Sequence, residues 1–87
     1  MNRIFVVEHE YKTPLTEALH DDEAKRAEKC LAQYGVKWRR SYLAIDRLKM
    51  ICEFECENAE QIMGALRSAE VPFARVWPAH KFTDDAV

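Results

Sequence analysis

The sequence predicts an α+β fold: one four-stranded antiparallel sheet with two helices on one face. Two observations carry this expectation. Four short segments rich in β-branched and aromatic residues read as strands, and two segments between them place apolar residues at helical spacing. Their order along the chain is strand, helix, strand, strand, helix, strand. With 87 residues, one domain is the sensible count.

The first strand is "RIFVVEHEY". Alternation sends Ile4, Val6, Glu8 and Glu10 to one face and Phe5, Val7, His9 and Tyr11 to the other. "KTPLTEALH" reads as a loop or short turn, punctuated by Pro14. Asp21 or Asp22 is expected to cap a helix running to Tyr34, with Ala24, Ala27, Cys30, Leu31 and Tyr34 as its apolar stripe. The acids Asp22 and Glu23 sit at its start, where the helix dipole favours negative charge. Gly35 ends it, as glycine commonly does one residue past a helix.

"VKWRRSYLAI" and "KMICEFECE" are the second and third strands, turned around "DRL" or a neighbouring register. Asn58 caps the second helix, and Gln61, three residues on, completes a capping box. Its stripe is Ala59, Ile62, Met63, Leu66 and Ala69. Pro72 bars further helix, and "FARVW" is the fourth strand. The pattern β-α-β-β-α-β is that of a ferredoxin-like sandwich. Residues 1–78 form the domain and 79–87 a C-terminal tail.

A domain of this size buries roughly 60% of the surface its unfolded chain exposes. Trp38, Phe73, Trp77 and the first strand supply more apolar sheet surface than two short helices cover. A homodimer of the αβ-barrel type is therefore expected, with the sheets or their edges packed together. Apolar residues make up 48% of the chain and charged residues 32%, a globular composition. The formal net charge of −2, without any basic block, argues against nucleic acid as a partner. No apolar run approaches the ~20 residues that span a bilayer, so no membrane partner is expected. The short apolar run after Arg3 meets Glu8 and Glu10 too soon for a signal peptide. Three cysteines without paired spacing argue against a disulfide framework and point to the cytoplasm.

The stretch "ICEFECEN" invites a metal or redox reading. On a strand, Met50, Cys52, Phe54 and Cys56 share one face and Ile51, Glu53, Glu55 and Glu57 the other. Four strand residues cover about 13 Å, which is too far for Cys52 and Cys56 to form a disulfide or share one zinc ion. Both are expected to be small buried hydrophobes. The glutamates form either a solvated face, offset by Lys37, Arg39 and Arg40 on the neighbouring strand, or one wall of a pocket shared with Glu8.

His9, His20 and His80 are scattered, with no pair at helical spacing, so no sequence-local metal motif exists. Each reads first as an ordinary surface histidine. A site assembled across strands or a dimer axis, from imidazole and carboxylate, would suit nickel or zinc. No glycine-rich phosphate loop and no serine elbow occur. A Cys52–His9 thiolate–imidazole pair needs strands one and three to be neighbours with both side chains on one face.

Several short motifs carry a family resemblance: Val7-Glu8, Trp38, Arg40-Ser41-Tyr42, Cys52-x-Phe54-Glu55 and Pro72-Phe73-x-Arg75-Val76. In these places the chain resembles a family of small ferredoxin-like domains of unknown function, some of whose members are described as nickel-binding. The resemblance reaches to Trp77. It departs from the family pattern at His9 for an arginine, Cys56 for an alanine, Ala74 for an acid and Glu70 for a glycine. It implies the fold and dimerisation more firmly than any activity.

The sequence thus leads to a homodimer that binds a small molecule or a divalent metal, nickel or another transition ion. Glu8, Ser41, Tyr42, Cys52 and Glu55 are the expected ligand-binding residues, with Glu8, His9 and Glu55 as metal candidates. Two alternatives stand beside it. One is a dimeric αβ-barrel enzyme acting on a small organic substrate, with Glu55 or His9 as general base. The other is a structural or regulatory dimer module.

Overall fold

A computed structural model describes residues 2–83. Its elements run β1 (Arg3–Glu10), α1 (Glu17–Gln33), β2 (Lys37–Leu43), β3 (Lys49–Cys56), α2 (Ala59–Ser68) and β4 (Arg75–Ala79). The strands form one antiparallel sheet in the order β2-β3-β1-β4. This is the expected ferredoxin-like arrangement. Residues 84–87 of the expected tail lie outside the described residues.

Burial follows the alternation of the strands. Phe5, Val7 and His9 of β1 and Met50, Cys52, Phe54 and Cys56 of β3 are buried on the helix side. α2 presses Ile62, Ala65 and Leu66 onto them, and α1 adds Leu31. Ile62 is fully buried at the centre of this cluster. α2 begins at a complete capping box: Asn58 accepts from the Gln61 amide, and the Gln61 side chain accepts from the Asn58 amide. Gly35 follows α1 at φ 71, the left-handed conformation that glycine adopts without steric cost.

Two boundaries differ from expectation. α1 starts at Glu17, because Thr16 caps it by accepting a 3.1 Å bond from the Leu19 amide. The end of the segment expected as a loop, residues 17–20, thus becomes the first turn of the helix, and the cap is threonine rather than Asp21 or Asp22. β4 is displaced toward the C-terminus and includes Pro78, which stands opposite Phe5. β4 is an edge strand, where a residue without an N–H is tolerated.

A third departure matters more for function. The register between β2 and β3 shifts between Trp38 and Arg40, so one extra residue enters β2. Such a bulge reverses side-chain parity beyond it. Ser41 pairs with Cys52 and Tyr42 with Ile51.

Candidate functional site

The helices cover one face of the sheet, and the other is open. Three rows of side chains cross the open face, set by the pairing registers. The first row is Tyr42, Ile51, Glu8 and Arg75; the second is Arg40, Glu53, Val6 and Trp77; the third is Lys37, Glu55, Ile4 and Ala79. Tyr42 is 63% exposed, Ile51 45% and Trp77 42%, so this face presents large apolar groups to solvent.

Every carboxylate in these rows is engaged. Arg39 donates to Glu55 at 2.7 Å, and Arg40 lies 3.5 Å from Glu53. Arg75 donates to Glu8 at 3.1 Å and to Glu10 at 3.3 Å. Trp77 donates its indole N–H to the second Glu8 oxygen at 2.7 Å. The bonds from Arg75 and then Trp77 hold the Glu8 carboxyl below its ordinary pKa. The Arg39 bond does the same for Glu55. The cross-strand arginines thus offset the glutamate stripe, as the charge pattern suggested, and Trp77 adds a donor that the sequence did not signal.

The expected site residues do not meet in one place. Glu8, Tyr42 and Glu55 lie on the open face, whereas Ser41 and Cys52 lie on the helix side. Glu8 stands opposite Ile51 and Glu55 opposite Ile4, so the two carboxylates are four residues apart along the sheet, about 13 Å. Ser41 donates to the Cys52 sulfur at 2.9 Å and accepts from the Trp38 indole N–H at 2.9 Å. Burial raises the Cys52 thiol pKa, which opposes a thiolate role. Cys30, Cys52 and Cys56 are all free.

The metal candidates fare likewise. His9 is buried on the helix side, away from Glu8 and Glu55, and is not the surface histidine first expected. Its Nδ1 bonds the Pro72 carbonyl at 2.8 Å. No group of three or more His, Cys, Asp or Glu side chains able to hold a metal ion exists among the described residues. The described residues of one chain therefore do not form a nickel centre by themselves. No helix among those residues is long and apolar enough to cross a membrane.

Other polar residues sit under α1. Glu23 is buried there, 8% exposed. Its position was legible: Glu23, Ala27, Cys30 and Leu31 continue one helical stripe, but a charged residue is discounted when apolar positions are counted.

A four-stranded antiparallel sheet in this order, covered by two helices on one face, defines a ferredoxin-like domain. The chain matches the family described as "Nickel responsive protein SCO4226-like" over residues 5–78, and it belongs to that family. It is also similar to the crystal structure of SCO4226 from Streptomyces coelicolor A3(2), with a TM-score of 0.81 and 11% sequence identity. That match covers 92% of this chain and 99% of the other, and it establishes the shared fold. No curated protein matches the chain significantly.

Proposed function

We propose that the protein is a homodimeric binding module that pairs its open sheet face with that of a second copy. A small ligand or divalent metal would bind between the two sheets. The observation that carries this reading is the set of Tyr42, Ile51 and Trp77, large apolar groups exposed on the open face beside the half-buried Val6. Exposed apolar patches framed by polar residues mark association surfaces. The face carries arginines and carboxylates together, so a two-fold copy can set opposite charges against each other.

The family description names a nickel response. Because the described residues of one chain hold no nickel donor set, the metal is placed at the shared face, where each carboxylate is doubled. Glu8, Tyr42 and Glu55 are the residues that face the ligand; Ser41 and Cys52 serve packing. A binding role is favoured over catalysis, because Glu55, the open-face candidate for a general base, is tied to Arg39. The free thiols are in keeping with a reducing cytoplasm.

The test is calorimetric titration of metal-free protein with nickel and with zinc, repeated on Glu8→Gln and Glu55→Gln. Binding that weakens in both variants supports the shared-face site. Binding unchanged in both moves the metal to another place, such as His20 or His80. Absence of any binding leaves a small organic ligand as the occupant.

A further inference from the structure

Between α1 and the C-terminal end of α2 runs an open groove of about 390 Å³. Small-molecule sites occupy roughly 300–1,000 Å³. The groove exists because its floor is small: Cys30 is half-buried and Ala69 buried, and neither side chain reaches far. Around that floor stand Lys25, Arg26 and Lys29 of α1, with Ser68 and Glu70 on the α2 side.

The charges at the rim are unbalanced. Lys25 and Lys29 are four residues apart, so they share one face of α1. Neither lysine makes an ion pair with a described residue, and neither does Glu70. Arg26 lies 3.2 Å from Asp22, yet its Nε is sealed from solvent and finds no hydrogen-bond partner among the described residues. Three cations against one carboxylate leave the groove two positive charges in surplus, in a chain whose formal net charge is −2. On the open face, by contrast, each arginine that borders a glutamate is paired with it. The cations of this groove are therefore the less committed ones.

We propose that the groove binds a small hydroxylated organic phosphate. A phosphate monoester carries about −1.5 to −2 charges at pH 7, which matches the surplus. Its oxygens would accept hydrogen bonds from Lys25, Arg26 and Lys29. Glu70 would accept from a hydroxyl of the organic part. Ser68, whose hydroxyl is 3.0 Å from the Tyr34 hydroxyl, lies between the two ends and can bond either. A simple carboxylate would leave one positive charge unanswered. A second phosphate would meet Glu70 and the negative end of α2. Nucleic acid is the poorer guest, because its row of phosphates demands a longer basic surface. The site lies between the helices and does not depend on the open sheet face.

The test is NMR of the backbone amides during titration with glycerol 3-phosphate at pH 7.5, against sodium chloride at matched ionic strength. Saturable shifts at residues 25–30 and 68–70 are expected with the phosphate alone. Lys25→Gln and Lys29→Gln should each weaken the affinity at least fivefold. Arg67→Gln removes the same charge from outside the groove, where Arg67 lies 5.8 Å over the Phe73 ring, and should change affinity less than twofold. Inorganic phosphate should shift the same amides with weaker affinity. No saturable shift, shifts centred elsewhere, or an effect of Arg67→Gln equal to that of the lysine variants would overturn the proposal. Equal affinity for inorganic phosphate would overturn the assignment to an organic phosphate.

Discussion

Trp77 of the edge strand donates its indole N–H to Glu8 of the neighbouring strand at 2.7 Å. Arg75 occupies the other Glu8 oxygen, so an acid that looks free in the sequence is fully engaged. Trp77→Phe removes one of the two donors and should raise the Glu8 pKa toward the ordinary 4.5. Carboxyl-carbon NMR across pH would register this. An unmoved titration would show that the indole bond does not form in solution. Glu8 and Glu55 both have lowered values in the fold. The stability they contribute is present above the unfolded-state pKa of 4.5 and is lost as pH falls through the lowered values.

His9 should make the fold acid-sensitive at a higher pH. Burial lowers its pKa from the ordinary 6.5, against the opposing pull of Pro72 and Glu23. The unfolded chain therefore binds a proton first, and stability is complete above pH 6.5 and falls as pH drops through the lowered value. Urea unfolding at pH 7.5 and pH 5.5 should show this loss, and His9→Asn should lose less between the two. Equal loss in wild type and variant would assign the acid limb to other groups.

Thiol reactivity should follow burial. Cys30 is half-buried, whereas Cys52 and Cys56 are buried and their pKa values are raised by that burial. Native protein should expose one slowly reacting thiol to a disulfide reagent, and denatured protein three. Fast reaction of Cys52 would mean that the layer under α1 is open.

Gly35→Ala should destabilise the fold, because its φ of 71 is costly for any residue with a Cβ. A loss of about 1–2 kcal/mol is expected. In a domain of this size each kcal/mol moves Tm by roughly 4–8 °C. An unchanged Tm in a thermal melt would show that the helix ends differently in solution.

Much of the fold was legible because strand alternation and helix capping are local signals. The faces of β1 and β3 follow directly from the spacing of Phe5, Val7 and His9 and of Cys52, Phe54 and Cys56. The Asn58–Gln61 box is written within four residues. The bulge between Trp38 and Arg40 is not local: it is set by pairing with β3, and it put Tyr42 on the open face and Ser41 on the other. The Glu8–Glu55 separation depends on register, which alternation leaves free. α1 starts earlier than the acidic pair implies, because Thr16, only two residues past Pro14, caps the helix. Tyr11 gave no signal that its hydroxyl is sealed from solvent without a partner among the described residues, since burial of a polar group is decided by tertiary packing.

The proposed function requires the open face to be the surface where two copies meet. Light scattering at micromolar concentration measures this most directly, with Trp77→Glu as the comparison. A mass of about twice 10.2 kDa is expected for the wild type, with an interface of at least ~1,000 Å² in total, and a shift toward monomer in the variant. A wild-type mass of 10.2 kDa throughout that range would contradict the account.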